Sequence, residues 1–450
     1  MAGVALRDRR VGKGTIKLRE TQSMRTILRG WRWSILCCAL GELAGALIAT
    51  AVPAQEGNFE KFEPRPTREV VPADLMEGPH YKLAPTVQTF GYLNNFVVSS
   101  DYGAFDAPSD TMLRRLVREI QAIAALHEIT LTDSYGEALK HAALGPVRGV
   151  KALVTEPVET VTAVPTAVFN VFSRVGQGVS SAVSGEKTGY EDSAMAQALQ
   201  MSSYKRDYAK QLGVDPYSSN PVLQEQLNSV AWAAAAGGLT VGTLTMASGS
   251  TALAAASYAR NLDQARNIVV AEPPAELMIR NRAALEKMGI GGSLKDQFLA
   301  QQQYSPRAKT ILIAALAAME GTTGREDVLT VALDAPDEVT AIFYQQVAEL
   351  LDGYDDRVAH ILRLERFNHL VIALDANAKA IILLPADYVI WDERAASAAT
   401  NIAKTLKLQP GGDSLQLWIT GTASPRFKKE AQLLGIGVRE GVAKQLPLLD

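Results

Sequence analysis

The residues in this chain that could do acid–base or metal chemistry are few and scattered. The five histidines are His80, His127, His141, His360 and His369, and no two stand at a spacing that turns a pair toward one metal from a helix face. The zinc-protease pair, the nucleophile elbow, the P-loop, the dinucleotide-binding glycine run after a strand and the calcium loop are all missing from the sequence. The sequence therefore predicts neither a cofactor nor a metal.

Three local patterns invite a closer look. Gly289-Ile290-Gly291-Gly292-Ser293-Leu294-Lys295 looks like a phosphate cradle, but it sits between two helices instead of after a strand. A glycine helix end followed by a serine helix start explains it. Asp352-Gly353-Tyr354-Asp355-Asp356 is an acidic cluster placed just after a helix. Clustered carboxylates suit a hard cation, and a solvated turn is the plainer account.

The third pattern lies near the C-terminus. Asp387, Asp392 and Glu393 gather at the end of a strand pair near Trp391, while Thr420-Gly421-Thr422-Ala423-Ser424 follows a strand and opens a helix. Ligands favour the carboxyl ends of strands in α/β sheets, and helix starts favour anions. A small-ligand pocket is expected there, facing Asp387 and Arg426. If the protein is an enzyme, the catalytic candidates are Asp387, Asp392 and Arg426 with His360 or His369, and the reaction class is hydrolysis. Ordinary capping and loop closure account for the same residues without catalysis.

The elements that must position these groups begin after an export signal. Arg25, Arg29 and Arg32 precede an apolar stretch over 34–51, and Val52-Pro53-Ala54 supplies small residues before Gln55. Cleavage is expected near Ala54, with an uncleaved N-terminal anchor as the alternative; Met24, just before the arginines, is a second candidate start, which would make residues 1–23 an upstream extension. The two cysteines, Cys37 and Cys38, lie inside this segment, so the mature chain has no thiol chemistry. Removing residues 1–54 leaves 36 basic residues against 45 acidic ones, a balance that argues against nucleic acid as a partner. The expected location is the periplasm or the envelope.

Residues 55–85 read as an exposed leader rich in proline and charge, and 86–353 as a mainly helical domain that opens with a β-hairpin over 86–107. Within it, valines and phenylalanines recur three or four apart over 145–184, the spacing of kinked amphipathic helices. That face suits an envelope protein or a membrane surface, or else it covers the domain's own core. Residues 226–259 carry no charge and include Gly238 and Gly242, which reads as a buried hairpin, with membrane insertion as the rival. Residues 354–450 alternate strand and helix as ββαβαβ, a small C-terminal α/β sandwich. The expected class is α+β, a mostly helical body with an N-terminal hairpin and that sandwich appended.

Three stretches carry a resemblance: Phe96-Val97-Val98-Ser99-Ser100-Asp101-Tyr102-Gly103, Leu212 through Leu223 (LGVDPYSSNPVL), and Leu417-Trp418-Ile419-Thr420-Gly421-Thr422-Ala423-Ser424-Pro425. Together they resemble an uncharacterised group of exported proteobacterial proteins of this layout, which implies export and domain order but no known activity. The last stretch is also loosely similar to the strand-helix-strand end of restriction-endonuclease-like folds, without the acidic and lysine metal pattern those enzymes use. The sequence reading is thus an exported envelope protein acting by protein or lipid contacts, with a hydrolase as the alternative.

Overall fold

The computed structural model describes residues 59–132, 134–137, 201–235, 269, 271–412, 414–446 and 448–449. The export signal, the 145–184 stretch and most of 226–259 lie outside the described residues.

The chain opens with a six-stranded antiparallel sheet: β1 (Arg65–Pro66), β2 (Glu77–Gly78), β3 (Tyr81–Leu83), β4 (Thr86–Phe90), β5 (Leu93–Ser100) and β6 (Gly103–Pro108). The long β5 organises it. β6 pairs along its whole length, from Asn95↔Pro108 to Ser100↔Gly103, while β4 and β3 share its other edge. Alternation sets the faces: Phe96 and Val98 are buried, whereas Val97 between them is exposed.

This sheet overturns the expected architecture, since the body is not a mostly helical arrangement opened by a hairpin. Two local features explain the difference. The run 86–100, which reads as one strand, folds back on itself at Gly91-Tyr92, where both residues have positive φ (+56° and +71°) and Phe90 pairs with Leu93. That is a two-residue hairpin without the Asn-Gly or Asp-Gly that usually announces one. The proline-rich segment before it also contributes β1, β2 and β3, strands too short to show a period in sequence.

Helix α1 (Asp110–Thr130) crosses the sheet and packs Leu113, Leu116, Val117 and Ile120 against Val87, Phe96 and Val98. Ser109, one of two adjacent residues able to cap this helix, does so by accepting the Met112 N–H at 3.0 Å. Farther along, Ile123 and Leu126 meet α2 (Met201–Leu212) and α3 (Pro221–Ala235) through Tyr208, Leu212, Leu223 and Leu227. Asn220 caps α3, accepting from Val222 and Leu223, and Pro221 stands at the first position, where its missing N–H costs nothing.

The loop between α2 and α3, within the LGVDPYSSNPVL stretch, carries a buried ionic knot. Arg115 lies 3.2 Å from Glu119 and 3.6 Å from Asp215, and Glu119 also accepts from Ser218 at 2.6 Å and Asn220 at 3.0 Å. Such clusters fix register, because removing one member strands the others.

Helices α4 (Pro274–Lys287), α5 (Gly292–Ala300), α6 (Pro306–Ala318), α7 (Arg325–Ala332) and α8 (Glu338–Arg357) follow. The acidic residues 352–356 fall in the last turns of α8, not in a turn after it.

The C-terminal sheet runs in the order β13-β11-β9-β8-β7. β7 (Ile361–Phe367), β8 (Leu370–Asp375) and β9 (Ala380–Leu384) form an antiparallel meander. Helix α9 (Glu393–Leu406) then leads to β11 (Leu415–Ile419) beside β9, and α10 (Pro425–Leu433) to β13 (Ile436–Arg439), both pairings parallel. Ile381 and Leu383 face α8 and the helical body, while Ala380 and Ile382 face α9 and α10, so β9 reads as an unbroken apolar run. Within this sheet the pattern is βββαβαβ, one strand more than expected. The extra strand, β7, carries Arg363, Glu365 and Arg366, the charges that edge strands use and that hide them from a hydrophobic pattern.

Candidate functional site

The hairpin tip at Gly91-Tyr92 is where the two sheets meet. Tyr92 holds a backbone conformation that a bulky side chain rarely adopts, and the C-terminal layer clamps it there. Its carbonyl accepts the N–H groups of Asp387 at 3.0 Å and Tyr388 at 3.1 Å. Its hydroxyl donates to Asp392 Oδ1 at 2.7 Å, and the same oxygen caps α9 by accepting the Ala395 N–H at 2.8 Å. Burial, and then the bond to Asp392, push the Tyr92 phenol up, so it is a donor at any physiological pH.

Behind the tip lies a polar network. Asp387 Oδ2 accepts two backbone N–H groups, from Asn94 at 2.8 Å and from Asp110 at 3.2 Å. The Asn94 side chain donates to Asp110 Oδ1 at 2.9 Å and accepts from Arg65 Nη2 at 2.7 Å and Thr89 Oγ1 at 2.9 Å. The Arg65 guanidinium stacks 3.9 Å above the Tyr388 ring. Burial pushes Asp387 well above the usual carboxylate range, and the neighbouring Asp110 adds to it. Burial raises Asp110 as well, against the pull of Asn94, Arg114 and Arg65. The two acids share one site, and a proton there is held more tightly than on a free carboxylate.

Two short parallel strands, β10 (Tyr388–Val389) and β12 (Thr422–Ala423), carry Asp387 and Ser424 to this junction. Gly421 lets them approach: a Cβ on it would stand 2.0 Å from the Asp387 carbonyl oxygen. Beyond their carboxyl ends sits Glu60. Its N–H donates to the Trp391 carbonyl at 2.9 Å, and its Oε2 accepts from Trp391 N–H at 2.7 Å and Ser424 Oγ at 2.6 Å.

Beside these contacts opens a cleft of about 530 Å³, walled by residues 60–64, by 88–92 of the hairpin, and by Asp392 and Arg394. Phe62 packs edge-on against Tyr92 with centroids 5.7 Å apart, and Phe90 is 62% exposed. The cleft thus offers aromatic rings beside carboxylates, an amide and cations. Such a mix can hold a polar ligand by one apolar face.

The expected site residues divide. Asp387 and Asp392 come together around Tyr92, although Asp387 is not among the residues lining the cleft. Arg426 sits in the first turn of α10 after Ser424, also outside the lining. His360 bonds to Asp355 at 2.9 Å just before β7, and His369 stands 3.7 Å from Asp334 in the β7–β8 turn. Neither joins the Asp387 network. Of the expected 420–424 stretch, Ser424 bonds to Glu60 of the same chain, and none of these residues lines the cleft.

Arg65, Asn94, Asp110 and Tyr92 were not visible as site residues in the sequence. One signal was present: Asn94 occupies the strand parity of Phe96 and Val98, and a polar side chain at a core position needs partners. Among the described residues, no group of three or more His, Cys, Asp or Glu could hold a metal ion. Among them too, no helix is long and apolar enough to cross a membrane. Comparison with protein-family models, curated proteins and solved structures finds no match.

Proposed function

We propose that this is an exported envelope protein that works by binding, with its ligand held in the cleft between residues 60–64, the hairpin tip and Arg394. One observation carries the reading: three distant segments converge on that cleft, and a conformationally costly residue, Tyr92, is clamped at its base by three bonds from another layer. Strain of this kind, about 1–3 kcal/mol, persists where the surroundings over-determine it, and such places cluster at ligand sites. A thermal-shift screen of small polar compounds against the purified protein tests it. Compounds that stabilise the wild type should lose their effect in Phe90→Ser and Arg394→Glu, two changes at the cleft's surface. If nothing in a broad screen shows that dependence, the cleft is not a binding site.

A hydrolase is the second reading, favoured by the raised Asp110–Asp387 pair. Tightly held protons on adjacent carboxyls are what general acid catalysis uses. Turnover of chromogenic esters or glycosides that vanishes in Asp387→Asn would support it, and activity unchanged in that variant would end it.

A further inference from the structure

We infer that the carboxyl ends of β10 and β12 form a docking site for an extended peptide carrying an acidic residue two places before an aromatic one. The chain's own Glu60-Lys61-Phe62 occupies that site as a built-in competitor. The inference goes beyond the small-ligand reading, because an incoming peptide displaces residues 60–62, part of one wall of that cleft.

The contacts have the form of peptide recognition. Glu60 bonds through its backbone N–H to the Trp391 carbonyl, as an added strand would, and through its carboxylate to the Trp391 N–H and the Ser424 hydroxyl. Two residues on, the Phe62 ring meets Tyr92 edge-on. Lys61 between them is exposed, so the site reads the first and third positions and ignores the second.

The segment has no regular structure of its own. Residues 59–64 belong to no strand or helix, and Glu63 and Pro64 are exposed. Regular pairing starts only at Arg65↔Val87. A short stretch outside regular structure, held by one backbone bond, one carboxylate and one ring, is among the parts of a fold that open most readily. Its tether to β1 is short, so it competes with an incoming peptide at an effective concentration on the order of millimolar. A matching peptide from another chain therefore binds weakly to the intact protein, and tightly once the internal copy is disabled.

The test uses the full chain carrying Glu60→Ala and Phe62→Ala, titrated with a fluorescently labelled peptide of residues 57–67 and followed by anisotropy. Saturable binding to the double variant, at least tenfold weaker binding to the wild type, and none by a peptide with both anchors changed to alanine are expected. No binding to a double variant that melts like the wild type would overturn the inference, and so would equal binding to both proteins. The cleft-dependent thermal shifts with small compounds would stand or fall separately. If the double variant melts early, trypsin cleavage after Lys61 in the wild type decides instead. Excess of the same peptide carrying Lys61→Gln, which trypsin does not cut at that position, should speed the cut severalfold by displacing the internal copy; an unchanged rate would refute the proposal.

Discussion

Asp352 is the place where the charge of one carboxyl should be most plainly read through stability. It is 3% exposed in the last turns of α8, and its Oδ2 has no hydrogen-bond partner among the described residues. Burial is the main cause that pushes it up to about 7, aided by Asp356, Asp355 and Glu349 and opposed by Arg357. The helix end adds a partial negative charge of its own. In the unfolded chain the group returns to its ordinary 3.8. Below that pH both states hold the proton and the group costs nothing. As the pH rises toward 7 the unfolded chain releases it and the folded chain does not, so stability falls by about 1.4 kcal/mol per pH unit and then levels off. The full loss is on the order of 4 kcal/mol. In Asp352→Asn that dependence is gone, so between pH 5 and pH 8 the variant should gain about 2–3 kcal/mol on the wild type. Urea denaturation across that range measures the gain. Any fixed cost of burying the amide shifts both ends equally and leaves the slope intact. A difference that is flat with pH, or shrinks as pH rises, would mean that Asp352 is ionised in the fold, and the burial argument would be wrong.

Asp387→Ala strands two backbone N–H groups and should cost about 2–6 kcal/mol, whereas Asp387→Asn keeps an acceptor and should cost about 1 kcal/mol or less; equal melting points for the two would show that those bonds carry nothing. Gly421→Ala forces a methyl to within 2.0 Å of the Asp387 carbonyl oxygen and should lower stability by at least about 1–3 kcal/mol, checked by the same denaturation. N-terminal sequencing of protein expressed in a bacterial host should begin at or near Gln55, and a soluble product that keeps Arg25 to Arg32 would reject export. Val161→Asp and Val168→Asp should leave the protein folded but abolish its flotation with liposomes if the 145–184 face is an interaction surface; early melting instead would make it core.

What was legible in the sequence was whatever one element could announce alone. The helix start at Ser109-Asp110, the Asn220-Pro221 start of α3, and β8, β9, β11, β13 and the two helices among them each rest on signals within a few residues, whereas the two-residue strands β10 and β12 do not. What stayed hidden depended on two distant segments agreeing. Tyr92 shows why. As a sequence it continues a strand, since tyrosine is a strand former; its left-handed backbone makes sense only once Asp387, Tyr388 and Asp392 stand ready to hold it. Glu60 is the same lesson from the other side. In a proline-rich leader it reads as a solvated charge, yet it fills the strand-end position that the C-terminal pattern marks for an anion. The cleft is lined by Asp392 but by no residue of 420–424, and the Glu60 carboxylate that meets Ser424 comes from more than 350 residues away in the chain. Asn94 falls between the two cases. Its inward parity in β5 states that a polar group is buried, and burial without partners would cost about 1–3 kcal/mol, so partners must exist. Strand parity says that much, and no more, because Arg65, Thr89, Asp110 and Asp387 arrive on four separate pieces of backbone.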